Sequence, residues 1–317
     1  MQNRLGYGLF LSLLAYFFFA FNSSCVRLFS KTFPCLEILF FQSAIALFCL
    51  IIKNALRHQK ISFQKPIFPY HLLRSLSGLV SYLFYYLAIK HTNLVDAAIL
   101  NATAPFYVPF FWMVLTKEKI EKEAFWSIIL GFLGILFILK PGITIFQISS
   151  CFGLLAGFFS AAALIGISFL NRRQESTAQI LFYFFFISTL SLLPAVIYFW
   201  QTPSSLEILL LVSIGLLTFL AQQLLTAAFQ YGSPAFLAPL SYTNIVYIAL
   251  ISLFFYSSAP SLTSLIGMFL VILGGSITFV LAKKENLRNF FLRMQTKKDQ
   301  DQAKTELKLK TDLSKET

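Results

Sequence analysis

Acidic side chains are in short supply in this 317-residue chain: 13 Asp and Glu stand against 25 Lys and Arg, and charged residues make up only 12%. Six of the acids lie after Ala282, while Glu118, Glu121, Glu123, Glu175 and Glu207 fall in loops or at the ends of apolar runs. Only Glu37 and Asp96 remain, both near the end of a run, so no carboxylate sits at the middle of an apolar stretch. A proton relay of the pump kind is therefore disfavoured, since relays of that kind are built from ionisable groups inside the membrane. Histidine is scarcer still. His58, His71 and His91 sit at run ends or in loops and make no metal set with Glu37 or Asp96. The four cysteines, Cys25, Cys35, Cys49 and Cys151, lack metal-ligand spacing. A disulfide among Cys25, Cys35 and Cys151 is one reading of them, and small apolar filler is the favoured one. No Ser or Cys stands beside a base, and no run holds a carboxylate pair. The expectation is a chain with no catalytic residues, no metal and no cofactor.

What the chain has instead is apolar length. Hydrophobic residues reach 57% and the mean hydropathy is +0.75, far from the composition of a water-soluble domain. Ten stretches approach the roughly 20 apolar residues that a spanning helix needs: 6–27, 34–53, 71–90, 93–115, 124–140, 149–170, 177–200, 206–229, 234–256 and 261–282. They are continuously apolar rather than alternating, which favours helices over a barrel. The first is too long for a cleaved leader and no small-residue cleavage site follows it. With a cytoplasmic N-terminus, 21 of the 25 Lys and Arg fall on the cytoplasmic side. Only Arg27, Lys31, Lys90 and Lys140 lie outside. That bias places both termini in the cytoplasm, and it assigns the +12 charge to the bilayer rather than to nucleic acid.

The spans read twice. Ala88 to Gly134 overlies Ala228 to Gly274 with a shift of 140, which sets Leu100-Asn101-Ala102-Thr103 against Leu240-Ser241-Tyr242-Thr243. In the second and seventh spans, Glu37-Ile38-Leu39-Phe40 matches Gln179-Ile180-Leu181-Phe182 with a shift of 142. Five spans per half force opposite orientations, the inverted repeat of secondary transporters with a site where the halves meet. The expected fold is thus an all-α membrane protein of ten helices in two inverted five-helix repeats. The expected units are residues 1–142, residues 143–282 and a cytoplasmic tail, 283–317. In that tail Leu287, Phe290, Phe291 and Met294 recur at helical spacing with Arg288 and Arg293 between them, the pattern of a helix lying on a lipid surface. Gly131, Gly134, Gly153, Gly157 and the run Ser160-Ala161-Ala162-Ala163 suit close helix contact. Pro105 and Pro109 in the fourth span, and Pro234 and Pro239 in the ninth, suit bends.

Polar groups at mid-depth gather on the third, fourth, eighth and ninth spans. Tyr82, Tyr85, Asn101, Gln222, Tyr242 and Asn244 are the candidate substrate contacts, with Tyr82 opposite Gln222 under the 140 shift. An amide in hydrocarbon needs a partner, either another helix or a ligand. Tyrosine offers a face and a hydroxyl to a flat or cationic group. Arg74 joins the set as a group able to attract a carboxylate or phosphate; the favoured reading of it is a snorkelling anchor. The expected partners are a small-molecule metabolite and the lipid bilayer. A non-cycling channel or scaffold is the alternative from another class, and the pseudosymmetry counts against it.

Ala104-Pro105-Phe106, Leu115-Thr116-Lys117-Glu118 and Gly131-Phe132-Leu133-Gly134-Ile135, with Ala88-Ile89 and Val95-Asp96-Ala97-Ala98 before them, resemble the motifs of the EamA family of drug/metabolite transporters. His71-Leu72-Leu73-Arg74-Ser75-Leu76-Ser77-Gly78 resembles the subgroup that includes bacterial S-adenosylmethionine carriers. The resemblance covers about residues 6–282. It implies a multi-pass carrier of the bacterial inner membrane, with a central cavity lined by the first, third, fourth, sixth, eighth and ninth spans. By the same resemblance the substrate is S-adenosylmethionine, with export of amino acids or drugs as the alternative. Two positions depart from the pattern. Ser258 stands where the second repeat would carry the partner of Glu118, and Gln42 stands where relatives often have arginine.

Overall fold

A computed structural model gives the fold and describes residues 2–30, 33–59, 61–116, 148–232 and 237–256, with single positions at 133 and between 262 and 276. Among them are nine α-helices and no strand: α1 (Gln2–Phe29), α2 (Cys35–Leu56), α3 (Phe68–His91), α4 (Leu94–Asn101), α5 (Ala104–Thr116), α6 (Ile148–Arg172), α7 (Thr177–Phe199), α8 (Ser205–Ala228) and α9 (Tyr242–Tyr256). A 3-10 turn, Ala238–Ser241, leads into α9. Among the described residues seven stretches are long and apolar enough to cross a membrane, with Leu94–Phe111 counted as one; Tyr242–Phe255 is apolar but shorter. The fifth predicted span except residue 133, most of the tenth and the tail lie outside the described residues. So do Glu118, Gly131, Gly134, Pro234, Ser258 and Gly274.

The fourth predicted span is two helices, not one. Pro105 has no N–H to offer the Asn101 carbonyl four residues back, and its ring would clash there. The chain therefore turns at Ala102 and Thr103, and the Thr103 hydroxyl donates to the Leu100 carbonyl at 2.8 Å. In the second half, where Pro239 interrupts, the Thr243 hydroxyl donates to the Leu240 carbonyl at 2.7 Å. These are corresponding residues under the 140 shift, so the repeat extends to a local hydrogen bond. Side-chain caps set other helix starts. Asn93 Oδ1 accepts from the Asp96 N–H at 2.7 Å, and Ser176 Oγ accepts from the Gln179 N–H at 3.2 Å.

The bundle has its polar groups inside and its large apolar groups outside. Phe48, Leu56, Ile197, Tyr198, Phe254 and Phe255 are exposed, whereas Asn22, Gln42, Arg74, Thr103, Thr218 and Gln222 are buried. That distribution suits a lipid surround, where outward-facing apolar side chains cost nothing and polar groups seek partners within the protein. The main contacts come in related pairs. α3 packs on α6 and α1 on α8, while α4 packs on α6 and α9 on α1. Exchanging first with sixth, third with eighth and fourth with ninth spans turns each pair into the other. α6 approaches closely because of its glycines. A Cβ on Gly157 would overlap Thr103 Oγ1 and lie 3.0 Å from the Asn101 carbonyl oxygen, and one on Gly166 would lie 3.1 Å from Arg74 Cα. All four cysteines are free thiols, so the disulfide reading of Cys25, Cys35 and Cys151 is withdrawn.

Candidate functional site

Where α1, α3, α4, α6, α8 and the start of α9 converge they leave a cavity of about 110 Å³. Its polar lining comes from Asn22 and Ser23 on α1, Arg74, Ser81, Tyr82 and Tyr85 on α3, Asn101 on α4 and Ser160 on α6. Gln222 on α8 and Ser241 and Asn244 around the start of α9 complete it. Tyr16 and Phe19 add aromatic faces.

Six of the seven candidate residues meet in this lining. Tyr242 does not. It lies buried with its ring 6.3 Å from that of Phe106, and its neighbour Ser241 faces the cavity instead. The 3-10 turn before α9 winds three residues per turn rather than 3.6, which displaces the register that a continuous helix from 234 would give. Sequence reasoning also passed over Ser81 and Ser23, and for serines among many others there was no signal to single them out. Of the other amides, Gln223 turns away and accepts from Lys53 Nζ at 2.5 Å.

Arg74 is not a snorkelling anchor. It is 2% exposed, held inside the bundle where Gly166 lets α6 come up against its backbone. Its guanidinium lies over the Phe184 ring, 4.1 Å from the centroid, and Nη2 donates to Gln222 Oε1 at 2.9 Å. The same Gln222 amide donates through Nε2 to the Tyr82 hydroxyl at 2.9 Å. Tyr82 and Gln222 are thus corresponding positions of the two halves that touch one another directly. Nε and Nη1 of Arg74 are buried without an acceptor, and no carboxylate is among the described residues that line the cavity. Also in the lining, Asn101 Oδ1, Ser241 Oγ and Asn244 Oδ1 are buried without hydrogen-bond partners.

Toward the C-terminal end of α3 the side chains are bonded to one another. The Tyr85 hydroxyl bonds Ser23 Oγ at 3.1 Å, and the Tyr86 hydroxyl donates to Gln42 Oε1. Asn22 Nδ2 donates to the Ile214 carbonyl at 3.0 Å and to Thr218 Oγ1 at 2.5 Å, tying α1 to α8. Arg27 donates to the carbonyls of Ile89 and Thr92, a cation at the negative end of α3. Gln42, at the departure noted on the second span, therefore serves α3, and the cation of the cavity comes from α3 itself. Toward the N-terminal end of α3, His71 Nε2 lies 3.4 Å from Glu175 Oε2, both nearly sealed from solvent. His71 also faces the Tyr183 ring at 4.3 Å. Burial raises the carboxyl of Glu175, in the α6–α7 loop, above its ordinary value.

Residues 6–140 and again residues 147–280 match the EamA-like transporter family. The chain belongs to that family. It is a multi-pass membrane transporter, not an enzyme. The transporter is 33% identical to a pseudopaline exporter of Pseudomonas aeruginosa over 84% of this chain and 93% of that protein. It is 26% identical to an S-adenosylmethionine uptake transporter of Rickettsia prowazekii over 78% of this chain and 82% of that protein. An uncharacterized transporter of Helicobacter pylori is also 26% identical, over 91% of this chain and 99% of its own length. A crystal structure with 19% identity shares the fold at a TM-score of 0.65, covering 90% of this chain and 99% of the other.

Proposed function

We propose that this transporter is an alternating-access carrier of a small polar or amphipathic metabolite. Its ten spans form two inverted five-helix repeats, residues 1–142 and 143–282, with both termini and the tail 283–317 in the cytoplasm. The observation that carries this reading is the contact between Tyr82 and Gln222 inside the cavity. Corresponding residues of two halves meet in this way beside a pseudo-two-fold axis, and in carriers built on inverted repeats the substrate sits where the halves meet. The related packing of α3 on α6 and α1 on α8 supports the same axis, and the Lys and Arg bias supports the orientation.

Substrate contacts fall to Tyr82, Tyr85, Asn101, Gln222, Asn244 and Arg74, while Tyr242 supports the wall from behind. The aromatic faces of Tyr16, Phe19, Tyr82 and Tyr85 suit a flat or cationic group. S-adenosylmethionine, which the Rickettsia relative is named for, has both an adenine and a sulfonium and is the first candidate. Export of a metabolite is the second reading, favoured by the higher identity to the pseudopaline exporter. Replacing the contact residues tests the site. Gln222→Ala and Tyr82→Ala are expected to lower transport at least about tenfold, as expected when a hydrogen bond to a charged or buried group is lost, at unchanged abundance in the membrane. Loss of abundance in place of transport would make both residues interhelical glue and refute the site.

A further inference from the structure

Arg74 presents a charge that no carboxylate among the described lining residues neutralises. Its guanidinium is buried, its nearest polar partner is a neutral amide, and one face is covered by Phe184. Nε and Nη1 make no hydrogen bond. A cation in the membrane interior is unfavourable by a margin that selection removes unless the charge is used. We propose, building on the carrier reading, that Arg74 is the anchor for a substrate carboxylate, and that the Gln222 amide holds its place when the cavity is empty. The guanidinium fork matches a carboxylate through two parallel N–H bonds, a fit that an amide oxygen cannot reproduce.

Two further features define the class of substrate. Arg74 is the one Lys or Arg among the described residues of the lining, so a singly charged carboxylate balances it, whereas a phosphate dianion would be left with an excess charge among these neutral groups. Elsewhere in the lining Asn101 Oδ1, Ser241 Oγ and Asn244 Oδ1 are unpartnered oxygens, ready to accept from an ammonium or amide N–H. The ligand is therefore a metabolite with a carboxylate and a separate N–H donor. Its binding has a consequence for the fold. When the carboxylate takes the Arg74 donors, Gln222 Oε1 is released, and Gln222 is the residue bonded to Tyr82 across the two halves. Substrate recognition thereby acts on the contact between repeats.

The experiment uses the full chain in two forms. In detergent, thermal shifts are read with S-adenosylmethionine and a panel of α-amino acids, each beside its primary carboxamide, and with inorganic phosphate. In proteoliposomes, the same pairs are tested for counterflow. At least one carboxylate is expected to stabilise the wild-type chain, with its carboxamide about ten- to a hundredfold weaker, the ratio that a hydrogen bond to a charged group gives. Arg74→Gln is expected to lose that difference and Arg74→Lys to keep part of it. Carboxamides that bind as well as their acids, phosphate that binds better, no shift with any carboxylate, or an Arg74→Gln chain that still prefers acids would each overturn the assignment. Should Arg74→Gln not fold, the acid-to-carboxamide comparison on the wild type still decides. Binding of acids without counterflow would instead contradict the carrier reading and leave the anchor standing. Counterflow of both members of a pair alike would do the reverse.

Discussion

Replacing Gly157 by Ala tests how closely α6 must approach the break between α4 and α5. The added Cβ would overlap the Thr103 hydroxyl and lie 3.0 Å and 3.1 Å from the carbonyl oxygens of Asn101 and Leu100. The hydroxyl is bonded to the Leu100 carbonyl, and Thr103 is fully buried, so it has no free direction in which to turn. The two carbonyls are backbone, and moving them moves Asn101 in the cavity wall. Overpacking of this kind costs about 1–3 kcal/mol. Gly6 is the control: it lies on α1 and a Cβ there meets nothing within 4 Å. At Gly6 the change to Ala adds helix propensity, up to about 1 kcal/mol of stabilisation. Gly157→Ala gains the same propensity, so the two variants should separate by the overpacking alone, about 1–3 kcal/mol, in thermal unfolding of the detergent-purified chain, with Gly157→Ala below Gly6→Ala and Gly6→Ala at or above wild type. Transport should fall with Gly157→Ala and not with Gly6→Ala. Equal melting temperatures for the two variants would refute the close approach.

Asn22→Leu removes the amide that bonds the Ile214 carbonyl and Thr218. Interhelical hydrogen bonds in membranes contribute roughly 0.6 and at most about 1.7 kcal/mol each, so a loss of about 1–2 kcal/mol and a lower membrane abundance are expected; unchanged abundance would contradict the tie between α1 and α8. Glu175 has a carboxyl raised by burial from its ordinary value of 4.5, so the folded state prefers the protonated form. The stability from that preference is full below the unfolded value and fades as pH rises through the folded one. Glu175→Gln, uncharged throughout, should flatten the decline in melting temperature from about pH 4.5 upward, and an undiminished slope would contradict the burial.

The spans were legible because lipid demands continuous apolar length, and eight of the ten predicted stretches overlap described helices. The repeat was legible at Thr103 and Thr243, since polar residues are scarce enough in such a chain for a match to mean something. Arg74 was misread for a physical reason. A basic residue four positions inside a predicted span has water within reach of its side chain, and only the fold shows that α6, Phe184 and Gln222 close over it. Those partners lie more than 90 positions away in the sequence. Tyr242 and Ser241 were exchanged because a short 3-10 turn moves side chains around the helix axis without altering the apolar pattern. The His71–Glu175 pair, 104 positions apart, carried no local signal at all.

Counterflow in proteoliposomes tests the carrier account most directly. Vesicles holding the purified chain and loaded with an unlabelled carboxylate substrate, S-adenosylmethionine first, are diluted into a trace of labelled compound. The account predicts transient accumulation of label above equilibrium, faster than in unloaded vesicles, and its loss with Gln222→Ala. Uptake that is linear in concentration and indifferent to internal substrate would contradict it, because a channel has no cavity that must return loaded.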